Sequence, residues 1–396
     1  VRNSTFRDLV ALLGLIIGMS GPARAAEQPY EINVILPLTG SAAFLGSIEK
    51  ANIEAHLTSI NRNGGIQGRP VAFVFHDDQT SPQHAVQLVQ QILPSKPAVI
   101  IGSAVQAMCN AMAPLLANGP VLYCLSNSFR PTPGGYGFSA GNSAADMAEV
   151  LIRYFRLKGL TKIAVLSSID ATGQSADQAI DQLLARPENA DIKKVEHQHF
   201  AQTDVTVAAQ IQRIDAAGAQ TLLAWTTGAA IATVFKAMIQ AGVDIPVGTS
   251  AGNQIIAQME QYEAFLPKQV LIGSGIYPEH EGLLKLDSRV EAAQQEMYKT
   301  MREHNVRLDA GTGVTWDPIS IVVEGLRTLG PNASAEQLRN YIAGLTDYPG
   351  IVGIYDFKTY PDRGIGLMAS TVVAYDRVGK RWVWKSKPGG EPLAGE

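Results

Sequence analysis

Short, almost unbroken apolar runs recur along the chain, at residues 32–36, 71–75, 98–101 and 121–125. A strand covered by helices on both faces reads this way, because neither side of a parallel sheet is left to water. Between these runs, residues 46–61, 82–93 and 104–117 read as helices, the first with Ile48, Ile53, Leu57 and Ile60 at helical spacing. Asn63-Gly64-Gly65 closes that first helix, since glycine takes the left-handed conformation there without steric cost. The rhythm restarts beyond a loop rich in proline and glycine at residues 130–137. Strands are predicted at 162–166, 194–200, 221–225 and 270–273, alternating with helices at 144–158, 173–185, 205–217 and 228–241. Helices at 287–304 and 318–329 follow. The tail then changes character, with strands at 354–357, 371–375 and 381–384 separated by turns.

Two consecutive runs of strand–helix units predict an α/β chain with two open parallel sheets, not one barrel. Ligands of such sheets sit beyond the carboxyl ends of the strands, where the winding reverses. That rule singles out residues 37–45, 102–106, 126–129, 167–172 and 225–228.

The chain has 396 residues, 46% hydrophobic and 17% charged, which excludes a disordered polypeptide. A formal net charge of −4 leaves no electrostatic footprint for nucleic acid. The first residues add a destination. Arg2 and Arg7 precede an apolar run at 9–19, and Ala23-Arg24-Ala25 supplies a small-x-small cleavage pattern. Residues 1–25 are therefore expected to be a secretory signal peptide, and the protein is expected in the periplasm. The run falls short of the ~20 apolar residues that span a bilayer, and no other stretch is long and apolar enough. Export bears on the two cysteines. Cys109 and Cys124 either close a disulfide in an oxidising compartment or stay as buried thiols, and their Cα separation decides which.

Enzyme chemistry finds little support. Gly137-Phe138-Ser139-Ala140-Gly141 has the spacing of a nucleophile elbow, but a Pro/Gly loop precedes it where a buried strand is needed. His197 and His199 share one face of a predicted strand, yet no carboxylate cluster adjoins them in sequence, so a solvated strand edge is expected. Gly64-Gly65-Ile66-Gln67-Gly68 follows a helix, whereas a phosphate loop follows a strand. Asp77 and Asp78 are expected to cap the helix that starts at Pro82. No nucleophile, base and orienting group come together.

Three motifs do stand in order. Leu36-Pro37-Leu38-Thr39-Gly40 follows the first strand, Ile60-Asn61-Arg62-Asn63-Gly64-Gly65-Ile66-Gln67-Gly68 the first helix, and Asp77-Asp78-Gln79-Thr80-Ser81-Pro82 the second strand. Together they resemble the periplasmic leucine/isoleucine/valine-type solute-binding proteins of ABC importers. The likeness continues through residues 163–166, Ala241-Gly242 and Trp316-Asp317. The resemblance implies a two-lobed type I periplasmic-binding clamshell, with lobe 1 at 26–140 plus 276–353 and lobe 2 at 141–275 plus 354–396. Three hinge crossings are expected near residues 139–141, 274–276 and 353–355. It also implies a monomer that delivers one small ligand to the permease subunits of an ABC transporter, without cofactor or metal.

Carried over position by position, the ligand-carboxylate contacts fall at Ser103, Ala104, Val105 and Gln106, and at Asn127, Ser128 and Phe129. Gln106 stands where the family usually has Ser, and Phe129 puts a ring in place of a hydroxyl. The first of these turns also opens the helix predicted at 104–117, whose free N–H groups attract an anion. In the second lobe Thr172 and Thr227 stand for family tyrosines, Thr227 beside Trp225 and Thr226. Ala251 stands where the family keeps the acid that holds the ligand's ammonium. The first-loop aromatic falls at Leu45, next to Phe44, and Thr80 replaces a family cysteine.

An ammonium carried from water into a closed cleft needs a charge partner. With Ala251 in place, Asp170 is the one acid in the predicted cleft turns. Phe44, Phe129 and Trp225 offer ring faces instead, so the expected ligand is an aromatic or other hydrophobic carboxylate lacking a free ammonium. A hydrophobic or branched-chain amino acid is the alternative. A periplasmic sensor of the same fold and an exported hydrolase using Ser139 are the competing functions.

Overall fold

The computed structural model describes residues 28–280 and 282–395, and the expected signal peptide lies outside them. The chain begins as β1 (Tyr30–Leu36), α1 (Ala43–Arg62), β2 (Val71–Asp77), α2 (Pro82–Ile92), β3 (Val99–Gly102), α3 (Gln106–Met112), β4 (Val121–Cys124) and β5 (Gly137–Ser139). The five strands form one parallel sheet in the order β2-β1-β3-β4-β5. β3 and β4 are buried along their whole length, as their unbroken apolar runs require. β5 is a strand that the hydrophobic pattern does not predict. Its Ser139 is buried and donates to the Ser126 carbonyl at 3.0 Å, so it is not poised as a nucleophile.

The second unit continues as α4 (Ala144–Leu157), β6 (Lys162–Ser168), α5 (Ala171–Leu184), β7 (Lys193–Phe200), α6 (Ala208–Ala216), β8 (Thr221–Trp225), α7 (Ala230–Ala241), β9 (Val247–Thr249), α8 (Ile256–Gln261) and β10 (Val270–Gly275). Then come α9 (Ser288–Glu303), α10 (Ala310–Leu329), α11 (Ala335–Gly344), β11 (Tyr348–Pro349), β12 (Ile354–Tyr355), β13 (Ser370–Asp376) and β14 (Arg381–Trp384). The second sheet runs β14-β13-β10-β9-β8-β6-β7, parallel except for β13 and β14. Without those two strands its order repeats that of the first sheet. Each sheet therefore reverses its winding once, between β1 and β3 and between β6 and β8, and each has one crevice.

Local chemistry sets the helix starts. Ser143 and Asp146 form a capping box on α4, and the Asp170 carboxylate caps α5. Ser81, not Asp77 or Asp78, caps α2. The Asp77 carboxylate instead accepts from the N–H groups of Leu38 at 2.9 Å and Thr39 at 3.1 Å and from the Thr39 hydroxyl at 2.6 Å. Asp78 accepts from the Thr80 N–H at 2.8 Å and the Ser103 hydroxyl at 2.5 Å. The loops after β1, β2 and β3 are thus one interlocked unit. Gly40 sits where they meet, at φ +85°, and a Cβ there would lie 2.5 Å from the Gln79 carbonyl. α10 begins eight residues ahead of Pro318, where the sequence suggested a start. The helix runs through that proline at the expense of one bond to the Val314 carbonyl.

Three chain crossings join the sheets. The first leads from β5 to α4, its Ser139 N–H donating to the Asp362 carbonyl at 2.8 Å. The second leaves β10 at Gly275, and Ile276 and Tyr277 already pack in the first unit's core with Ile32 and Trp316. Tyr355, Phe357 and Ile365 belong to that core too, so the return to the second sheet comes at β13, not near residue 354. Two buried charges hold the crossings. The Asp317 carboxylate accepts from the N–H groups of Ile351 at 2.8 Å and Val352 at 3.2 Å and from the Tyr355 hydroxyl at 3.0 Å. The Arg363 guanidinium donates to the carbonyls of Asn127 at 3.3 Å, Phe129 at 3.2 Å and Gly141 at 3.2 Å.

Cys109 and Cys124 are bridged, with Cα atoms 6.1 Å apart, beneath the first sheet beside Met108, Met112 and Phe129. Closing a loop of this length stabilises by about 3 kcal/mol through the unfolded chain. Replacing both cysteines by alanine should therefore lower the unfolding free energy by about 3 kcal/mol in a urea titration. An unchanged midpoint would show that the bridge contributes nothing.

Asp309, ahead of α10, is buried and its carboxyl is pushed up to about 8. It binds its proton more tightly folded than unfolded. The stability it contributes is complete below the ordinary carboxylate pKa of ~4 and drains away as pH rises through about 8. His56, buried against the Trp316 ring and lowered to about 3, acts in the opposite sense, but only below its unfolded value of ~6.5. Between about pH 6.5 and 8.5 the melting temperature should rise on acidification, and Asp309→Asn should flatten that slope. A wild-type melting temperature that falls on acidification in this window would contradict the assignment.

Candidate ligand-binding cleft

The two crevices face each other. Between them lies a cavity of about 370 Å³, at the small end of the ~300–1,000 Å³ range of small-molecule sites. The lobes meet at both ends of it. Gln106 on α3 donates to the Ser175 hydroxyl on α5 at 3.5 Å, and the Ala310 N–H donates to the Gln254 carbonyl at 2.7 Å. An Arg307–Glu260 ion pair at 3.0 Å closes the same rim as the latter.

From the first lobe, Phe44 and Leu45 line the cavity beyond β1, Ala104, Val105 and Gln106 beyond β3, and Asn127 and Ser128 beyond β4. From the second lobe, Asp170 and Thr172 line it beyond β6, Thr227 beyond β8 and Ala251 beyond β9. Gln106 is the first residue of a helix seven residues long, shorter than the 104–117 expected, because residues 113–116 tighten into a 3₁₀ turn. Asp170 is already engaged: it accepts from the Ser168 hydroxyl at 2.7 Å, from the Gly173 N–H at 3.0 Å and from the Gln202 side chain.

Four residues expected in the cleft do not line it. Ser103 is fully buried behind the turn, its hydroxyl spent on Asp78. Phe129 turns back through a bond from its N–H to the Ser126 carbonyl, and its ring lies in the core around the disulfide. Trp225 is the last residue of β8, opposite Ser167, and its ring points to the helix-covered face among Leu151 and Ile180. Thr226 is buried too; its carbonyl accepts from Ser250 at 2.9 Å and Asn253 at 2.7 Å. A strand end places alternate residues on opposite faces, so following a strand does not by itself put a ring into the crevice.

The sequence reading missed Glu49, Asn142, Gln254 and Tyr277, all of which line the cavity. Glu49 is 1% exposed, and neither of its carboxylate oxygens has a hydrogen-bond partner. Burial, with Asp78 nearby, holds its carboxyl well above the usual range. Gln106 Oε1, Asn142 Nδ2 and Gln254 Nε2 are also buried and unpaired. Among the described residues no lysine, arginine or histidine lines the cavity. One signal pointed to Glu49. Positions 49, 53, 56 and 60 form the buried stripe of α1, and a carboxylate on such a stripe calls for a partner.

Away from the cleft, the structure adds the carboxylate that His197 and His199 lacked. Asp177 on α5 accepts from both rings, at 3.0 and 2.9 Å, and its own support is the Ser167 hydroxyl at 2.9 Å. The three ligand atoms lie within 4.8 Å of one another, a donor set suited to a zinc-like ion. The pair is thus more than a solvated strand edge. No described helix is long and apolar enough to cross a membrane.

Solved structures share this fold across most of the chain. An extracellular ligand-binding receptor from Rhodopseudomonas palustris HaA2 superposes with a TM-score of 0.78 at 18% identity, covering 91% of this chain and all of that one (100%). The branched-chain amino acid transporter substrate-binding protein LivJ from Streptococcus pneumoniae, solved with isoleucine, gives 0.72 at 15% identity, covering 90% and 98%. In sequence, a Leu/Ile/Val-binding protein homolog 2 from Brucella abortus (strain 2308) is 26% identical over 101 residues. That match spans 26% of this chain and 27% of the relative's length. The profile of the family described as periplasmic binding protein matches residues 13–377, and with the two-lobed architecture this places the chain: it belongs to the periplasmic binding protein family.

Proposed function

We propose that this protein is the extracytoplasmic solute-binding component of an ABC importer, exported to the periplasm and closing as a monomer on one small carboxylate. The observation that carries the reading is the pair of facing crevices around one small cavity, lined from both lobes by unpaired polar atoms. Such atoms are costly to bury unless a ligand completes their hydrogen bonds. In this reading the arrangement binds and releases a solute, as the family's binding proteins do. The solutes named for the relatives, isoleucine and the branched-chain amino acids, make a small carboxylate the natural starting class.

In this reading the ligand's acid group sits at the turn before α3, where the first N–H groups of the helix have no partner within it. Asn127 and Ser128 flank that position. The apolar body lies against Phe44, Leu45 and Tyr277. An aromatic body now rests on Phe44 and Tyr277 alone, because the Phe129 and Trp225 rings are in the cores. Glu49 also supplies the acid that is missing at Ala251, so a ligand ammonium has a partner in the cleft.

Two experiments test the reading. Small-angle scattering with and without a panel of small acids and amino acids should show a decrease in radius of gyration with those that bind. Identical curves in the presence of a solute shown by calorimetry to bind would contradict closure. Gln106→Pro probes the anion position. Proline is tolerated at a helix's first residue, so the variant should fold yet lose one N–H donor, weakening a bound carboxylate by about tenfold. Unchanged affinity in the folded variant would move the carboxylate elsewhere.

A further inference from the structure

Resting on the reading of the cleft as the solute site, we propose that Glu49 is its charge-selecting residue and takes a positively charged nitrogen of the ligand. The inference starts from what surrounds the side chain. Glu49 lies on the first turns of α1 and lines the cavity, and both of its oxygens are unpaired. Gly311 of α10 packs so closely that a Cβ there would come within 3.1 Å of the Glu49 backbone nitrogen. With the residue only 1% exposed, bulk water has little access to the carboxylate, and partners must come from inside the cleft. Among the described residues none is offered.

The other charged groups around it do not change that. Asp78 beyond β2 is an acid, and Asp170 across the cleft is already engaged by three donors. Tyr277, on the crossing from β10, is buried and its hydroxyl is directed to Ser274. Among the described residues the cavity is lined by acids and neutral groups, with no lysine, arginine or histidine. A cation entering the cleft therefore meets no competing positive side chain among the described lining.

Two ligand chemistries need comparison. A ligand carboxylate could take one hydrogen bond from a protonated Glu49, but the second Glu49 oxygen would then face the ligand's lone pairs. A protonated amine or amidine satisfies both oxygens and neutralises the charge. The unpaired amide nitrogens of Asn142 and Gln254 complete the pattern, because they await an acceptor on the same ligand. The class this cavity selects is a small solute with a cationic nitrogen at Glu49 and an acceptor elsewhere.

The test uses three compounds on one skeleton, 3-phenylpropionate, phenylalanine and 2-phenylethylamine, and their aliphatic counterparts, 4-methylpentanoate, leucine and 3-methylbutylamine. Each is titrated into the full mature chain and into Glu49→Gln, with circular dichroism confirming the fold of the variant. The proposal expects binding by members that carry an ammonium, and about a hundredfold loss of their affinity in Glu49→Gln. A second readout needs no variant. Repeating the wild-type titration in buffers of different ionisation enthalpy should show net proton release to the buffer, because burial holds the Glu49 carboxyl above the usual range in the empty cleft and a bound cation favours its ionised form. Binding of the nitrogen-free acids with unchanged affinity in Glu49→Gln would overturn the proposal and leave the solute-binding reading intact. Proton uptake on binding would overturn it in the same way. If no nitrogen-bearing compound binds, the proposal also falls, and the response to the acids then judges the solute-binding reading on its own.

Discussion

The cleft exists because two crevices are held face to face, and that depends on two buried charges at the chain crossings. Asp317 gathers Ile351, Val352 and Tyr355. Arg363 gathers the carbonyls of Asn127, Phe129 and Gly141. One acts on the backbone leading toward the third crossing. The other ties the first crossing to the loop that carries Asn127 and Ser128 into the cleft. Each charge is satisfied by several groups from distant parts of the chain, so neither crossing can shift without leaving polar atoms unpaired. Rotation of the lobes then has few soft points, and a ligand seated between them meets a preset arrangement of donors and acceptors.

Within that frame the first lobe's rim is cross-linked. Asp77 and Asp78 lock three loops together at its rim, and the disulfide stiffens the layer below. Gln106 stands on this platform. The second lobe contributes short polar side chains, Thr172 and Thr227, where bulk would have reduced the cavity. In the proposed reading recognition rests on a few unpaired atoms in a small space with no cationic side chain among its described lining, and Glu49 is the charge-selecting group.

Much of this was legible in the sequence, for physical reasons. Strands buried on both faces must be apolar throughout, so β3, β4 and β8 announced parallel sheets, and the crevice rule then pointed to part of the lining, the turns beyond β1, β3, β4, β6 and β8. Short elements were not legible. β5 and β9 have three residues each, too few for a pattern. Side-chain direction was also hidden: Trp225 and Phe129 follow strands as the true lining does, but the pleat and a tight turn send their rings into the cores. Partnerships across long separations were the hardest. Nothing near His197 names Asp177, and nothing near Asp77 names Thr39. Glu49 was visible only as a charge on a buried stripe.

The central claim is that one small solute sits between the lobes and meets Glu49. A crystal structure of the protein with a bound solute tests it most directly. The account predicts density in the cleft, bridging the turn before α3 and Glu49, with a nitrogen of the solute within hydrogen-bond distance of the Glu49 carboxylate. A solute seated in another cavity, or one in the cleft that turns carbon atoms alone toward Glu49, would contradict it.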